Sequence, residues 1–118
     1  MNVKDNLLLT KSKAFALRII KLYKHLCSEK QEYIMSKQVM RSGTSVGANM
    51  REAKYAQSHN DFIAKAQIAL KEAGETAYWL ELLFESEYMS EQEYTSIYAD
   101  CEELIRLLVA SLKTAKAK

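Results

Sequence analysis

An all-α fold, an antiparallel up-and-down four-helix bundle, is predicted by three observations. The 118 residues contain no proline and only three glycines, so the breakers that strands and hairpins need are scarce. Ala, Glu, Lys, Leu and Arg supply nearly half of the chain, the composition of long helices. Apolar residues recur at spacings of three and four in four stretches joined by short links, and short links make neighbouring helices antiparallel. The length fits one domain over residues 1–118, with a core that needs no metal or disulfide to hold it.

The first helix is expected over about 12–28. Phe15, Ile19, Leu22 and Leu26 keep one face, and Ser12 is its expected N-cap. The second is expected over about 33–55, with Ile34, Val39, Ser42, Val46, Met50 and Ala53 inward. The run Ser42 to Gly47 is weak for a helix, since each glycine costs about 1 kcal/mol against alanine. The third is expected over about 58–86, opened by Ser58 and Asp61 in a capping arrangement and carrying Phe62, Ala66, Ala69, Ala73, Ala77, Leu80 and Phe84 on one side. The fourth, about 90–115, opens on Ser90 and Glu93, a capping box, and repeats Ile97, Cys101, Leu104, Leu108 and Leu112.

The net charge is +2, unevenly placed: residues 1–57 carry +7 and residues 58–118 carry −5. Such asymmetry suits a nucleic-acid face, or two surfaces that attract each other between subunits, or plain variation among solvated helix faces. No apolar run reaches the ~18 residues of a membrane span, and the first nine residues do not read as a signal peptide, so the cytoplasm is the expected location. Cys27 and Cys101 fall on apolar stripes and are expected to be buried free thiols.

Few residues suggest catalysis. Gly43-Thr44-Ser45-Val46-Gly47 spells G-x-S-x-G, but a nucleophile elbow needs a strand before it, and none is predicted. The same glycines at i and i+4 let a neighbouring helix or a bulky side chain approach, with Tyr94, Tyr98 or Trp79 as expected partners. His25 and His59 have no companions at metal spacing, and no phosphate loop or GxGxxG occurs. Neither a cofactor, a metal nor a small-molecule substrate is expected, and the chain reads as no enzyme.

The basic residues are more informative. Lys37, Arg41, Thr44, Ala48, Arg51 and Tyr55 share a stripe on the second helix, and Lys11, Arg18, Lys21 and His25 share one on the first. Cations interleaved with a tyrosine suit phosphate contact and base stacking, though an ordinary solvated face has the same pattern. Arg18, Lys21, Lys37, Arg41, Arg51 and Lys54 are the candidate nucleic-acid contacts.

Two blocks carry a resemblance. Ser45, Val46, Asn49, Met50, Glu52 and Ala53 form the first. Asp61, Phe62, Lys65, Ile68, Ala69, Leu70, Glu72, Glu75, Thr76, Tyr78, Trp79 and Leu80 form the second. Together they resemble the 23S rRNA intervening-sequence proteins, along most of the chain. The resemblance implies up-and-down four-helix bundles assembled as ring-shaped homopentamers, without enzymatic activity and with RNA or DNA binding as the usual proposal. Some members are encoded inside insertions of the large-subunit ribosomal RNA gene. Ser45, Asn49, Glu52 and Trp79, as motif residues, are expected to fix helix packing or oligomer register. Asn49 and Glu52, if buried, would need hydrogen-bond partners that a subunit interface would supply. The rival reading is a structural or protein-interaction scaffold without nucleic-acid affinity, in which the +7 and −5 halves complement each other between subunits.

Overall fold

Four helices follow one another in a computed structural model that describes residues 2–118: α1 (Val3–Ser28), α2 (Met35–Lys54), α3 (His59–Glu85) and α4 (Glu91–Lys116). Met1, the first residue of the stretch read against a signal peptide, lies outside the described residues. No strand occurs among the described residues. Each helix packs on two neighbours, in the order α1, α2, α3, α4 and back to α1, and the body measures 46 × 21 × 18 Å. That is a bundle around one core, to which Phe15, Ile19, Val46, Met50, Leu80 and Leu104 contribute side chains at most 2% exposed. No helix among the described residues is long and apolar enough to cross a membrane.

The helix starts show how a chain without proline sets its boundaries. α1 begins at Val3, well before the expected Ser12. The Asn2 side chain accepts from the Asp5 backbone N–H at 2.9 Å, and Asp5 accepts from the Asn2 N–H at 3.4 Å, a capping box with Asp in place of Glu. Ser12 is instead buried in mid-helix, its hydroxyl bonded to the Leu9 carbonyl. α2 has no side-chain cap of its own at Ile34. The buried Glu32 replaces it, accepting from the N–H groups of Ile34, Met35 and Ser36 at 3.1, 3.1 and 2.7 Å. Ile34, expected on the inner stripe, is 78% exposed, because it stands before the first helical turn and outside the repeat. Ser58 and Ser90 cap α3 and α4 as their spacing predicts.

α3 ends without glycine. Glu87 takes the left-handed conformation (φ 70°), the Tyr88 N–H donates to the Leu83 carbonyl and the Glu87 N–H to that of Phe84. This is a Schellman motif with Glu where glycine is the common choice.

The glycines of α2 do provide close packing, but not against aromatics. A Cβ on Gly43 would lie 2.8 Å from Cγ1 of Ile19, and one on Gly47 3.3 Å from the Ser12 carbonyl oxygen, both on α1. The expected partners sit elsewhere because α2 turns this face to α1. Tyr94 stacks on Phe84 with ring centroids 4.4 Å apart, and Trp79 meets Tyr78 edge-on. Both cysteines are free thiols. Cys101 is buried as expected, but Cys27 is only half-buried, at the edge of α1 near Ser36.

Candidate nucleic-acid interface

The structure divides the six candidate cations into two groups. Arg18 and Arg41 are occupied. Arg18 donates to Asp100 at 2.6 Å and to the Ser96 hydroxyl at 2.9 Å, both on α4. Arg41 bridges Glu72 (3.3 Å) and Glu75 on α3. Lys21, Lys37, Arg51 and Lys54 are exposed and have no carboxylate within 4 Å among the described residues. Lys11, on the α1 stripe, is also spent, on Glu103 at 3.1 Å.

All the ion pairs among the described residues join the basic half to the acidic half: α1 to α4 through Lys11 and Arg18, and α2 to α3 through Arg41 and through Glu52 with Lys65. The charge asymmetry of the sequence is therefore partly used up inside one chain. What is left is a cationic surplus on the outer side of α1 and α2.

Of this surplus, Lys21 lines a separate cavity between α1 and α4 that also holds Glu93, whereas Arg51 and Lys54 border two adjoining cavities along the α1–α2 seam, of about 460 and 260 Å³. Lys13, Arg51 and Lys54 are their charged residues, and neither cavity has an acidic one. Leu9, Leu17 and Ala48 contribute apolar surface, and Leu17 is 56% exposed. Gly47 explains the shape, since without a side chain it lets α1 lie close to α2 there. Just beyond, Tyr55 is 72% exposed, with the Lys54 ammonium 5.5 Å from its ring centroid. Sequence reasoning missed Lys13. It lies off the α1 stripe of Lys11, Arg18 and Lys21, and only the packing of α1 on α2 brings it opposite Arg51.

The motif residues of α2 form a separate row on the α3 side. Ser45 donates to the Arg41 carbonyl at 2.6 Å, and the Asn49 amide donates to the Ser45 carbonyl at 2.8 Å. Asn49 is half-buried and Glu52 exposed, paired with Lys65 at 3.3 Å. Neither is a core group, contrary to the burial considered for them, because the inner face of α2 is filled by Val46, Met50 and Ala53. Trp79 is half-buried, with its indole Nε1 covered and unpartnered.

Other polar groups serve structure. Thr76 donates to Ser42 (2.8 Å) between α3 and α2, and Ser111 to Asp5 (2.6 Å) between α4 and α1. Nε2 of His59 donates to the Ala115 carbonyl at 2.8 Å. His25 lines a 340 Å³ cavity with Arg18, Lys21 and Met89. Tyr98 donates to Glu81 at 2.9 Å, and that bond, with burial, pushes its phenol above the ordinary range. Burial pushes the Cys101 thiol up to about 12. Among the described residues no group of three or more His, Cys, Asp or Glu side chains is placed to hold a metal.

Comparison with known proteins bears on this geometry. The family model described as 23S rRNA-intervening sequence protein matches residues 4–110. A crystal structure of a protein of unknown function from the S23 ribosomal protein family of Bacteroides thetaiotaomicron VPI-5482 is 55% identical. The match covers 94% of this chain and 99% of that one, with a TM-score of 0.93. No curated protein matches.

Proposed function

The chain belongs to the 23S rRNA-intervening sequence protein family, and on that premise we propose that it is a non-enzymatic, cytoplasmic RNA- or DNA-binding protein that works as a ring-shaped homopentamer. The observation that carries the binding reading is that Lys21, Lys37, Arg51 and Lys54 are exposed without a carboxylate partner among the described residues, with Lys13 beside Arg51 and Lys54 at the α1–α2 seam. Free lysines and arginines release counterions from phosphates, whereas arginines already neutralised by carboxylates contribute little. The pentamer rests on the family resemblance.

An antiparallel up-and-down course is part of this reading. Asp5, Lys11 and Arg18 of α1 meet Ser111, Glu103 and Asp100 of α4, so one number rises as the other falls. Ser42 with Thr76 and Glu52 with Lys65 do the same between α2 and α3. Ser45, Asn49 and Glu52 of α2 and Trp79 of α3, none of them a fully buried residue, would then set the register between subunits.

The test is a titration of labelled structured RNA at salt from ~50 to ~200 mM, with the particle mass read by light scattering. Binding that weakens steeply with salt, together with a fivefold particle, is the expected result. Absence of binding at ~50 mM salt would end the nucleic-acid reading. The scaffold reading would then lead, favoured by the exposed Ile34 and Tyr78 (78% and 55%).

A further inference from the structure

We infer that the α1–α2 seam is a site for single-stranded nucleic acid, bases lying on its apolar floor and phosphates on Lys13, Arg51 and Lys54. This deepens the proposed function and rests on it.

The composition of the seam carries the inference. A surface that served only to hold a duplex would need cations spaced along two phosphate strands and no apolar floor, since a duplex keeps its bases inside. Here the cations flank exposed aliphatic surface. Leu17 is 56% exposed between Lys13 and the α2 side, and Ala48 faces outward beside Arg51. No acidic residue lines either cavity, so a polyanion meets no like charge. At Gly47 the two helices approach closely, since an added Cβ there would lie 3.3 Å from the Ser12 carbonyl oxygen. Tyr55 lines neither cavity, but its exposed ring lies beside the ammonium of Lys54, which does, at 5.5 Å from the ring centroid. Every base has a π-face, so an aromatic next to a cationic groove binds unpaired strands with little regard to sequence.

The length agrees. Leu9 to Leu17 is about 12 Å of helix at 1.5 Å per residue. That is the length of only a few nucleotides of one strand, short enough for a strand to engage neighbouring subunits of an assembly in turn.

The test uses the full-length protein and three ligands: a labelled single-stranded oligouridine about 12 nucleotides long, the matching oligodeoxythymidine, and a duplex of equal length. Fluorescence anisotropy is read at ~50 to ~200 mM salt. Three exposed positions are varied, Leu17→Ser, Tyr55→Ala and Arg51→Ala, each checked for helicity and particle mass. Both single strands are expected to bind about tenfold or more tighter than the duplex, because only they offer bases for stacking. Tyr55→Ala is expected to weaken them about fivefold or more without altering the salt dependence. Leu17→Ser is expected to act in the same direction. Arg51→Ala is expected to lower the salt slope by about 0.7, one phosphate contact on a single strand.

Duplex binding as tight as single-strand binding would overturn the inference. So would Tyr55→Ala and Leu17→Ser variants that bind single strands like the parent while Arg51→Ala weakens them. Either result leaves the broader nucleic-acid reading standing. Failure of the parent to bind any of the three at ~50 mM salt would remove both.

Discussion

Gly43 of α2 lies so close to Ile19 of α1 that an added Cβ would stand 2.8 Å from Cγ1 and 3.0 Å from Cγ2 of the isoleucine. Ile19 is fully buried and β-branched, so its rotamer has little room to change. Gly43→Ala is therefore expected to destabilise the fold. Overpacking costs about 1–3 kcal/mol, and the better helix propensity of alanine offsets about 1 of it. Gly74, also helical, has open space around its α-carbon. Gly74→Ala is expected to stabilise by about 1 kcal/mol. Opposite shifts of the thermal midpoint, each of a few degrees, check the pair; equal shifts would sink the packing account.

Glu32 performs at the start of α2 the task that a Ser or Asp N-cap performs elsewhere. Its carboxylate takes three backbone N–H groups of the first turn while buried itself. Glu32→Ala is expected to cost about 1–2 kcal/mol, the range of a lost cap. Glu32→Gln, which keeps one acceptor oxygen, is expected to fall between. Chemical denaturation of both variants gives the order, and a Glu32→Ala variant as stable as the parent would overturn the role.

The other end of α3 offers a gain. Glu87 holds φ at 70° to close the Schellman motif, a conformation that costs a non-glycine residue about 1 kcal/mol. Glu87→Gly is expected to recover part of that, less the extra entropy glycine brings to the unfolded chain. A higher denaturation midpoint with unchanged helicity is the outcome to look for.

Much of this architecture is legible from spacing. Ile97, Cys101, Leu104, Leu108 and Leu112 are all buried as their repeat requires, and Ser90 with Glu93 forms the capping box it spells. The start of α1 is not legible in the same way. Asn2-x-x-Asp5 uses a shorter acid, and only Leu8 of the three adjacent leucines goes into the core, so the apolar signal there is thin. The site is less legible still. Lys11 and Glu103, or Arg41 and Glu72, are far apart in the chain, and only helix packing reveals that those cations are already neutralised. A helical wheel drawn for one helix shows which residues share a face and nothing about what faces them.

Cys101 is shielded twice. Burial pushes its thiol up to about 12, and Sγ donates to the Ala73 carbonyl at 3.3 Å. Reagents react with the thiolate, which burial disfavours at Cys101. Cys27 is half-buried at the edge of α1. One adduct per native chain, at Cys27, and two in denaturant are expected with a small alkylating agent followed by mass spectrometry. Two adducts gained at equal rates in the native protein would contradict the burial of Cys101.

The division of the candidate cations gives the most direct functional contrast. The sequence does not distinguish Arg18 and Arg41 from Arg51 and Lys54, yet the guanidinium groups of the first two are held by Asp100 and by Glu72 with Glu75. Replacing either by alanine removes one positive charge but also frees carboxylates, Asp100 in the case of Arg18 and both Glu72 and Glu75 in the case of Arg41. The expected result is a stability loss of about 1 kcal/mol or less for the partly exposed Arg18 pair and a larger one for Arg41, whose partner Glu72 is buried, with little change in RNA affinity at ~150 mM salt. The free cations behave oppositely. Arg51→Ala and Lys54→Ala are expected to leave the stability within about 0.5 kcal/mol of the parent, as surface substitutions without a carboxylate partner do. Each is expected to lower the slope of log affinity against log salt by about 0.7–0.9. Calorimetry and a salt titration on the same four variants separate the two groups. If Arg18→Ala and Arg41→Ala lower the slope as much as Arg51→Ala does, the ion pairs open on binding, and the interface extends across the α1–α4 and α2–α3 seams.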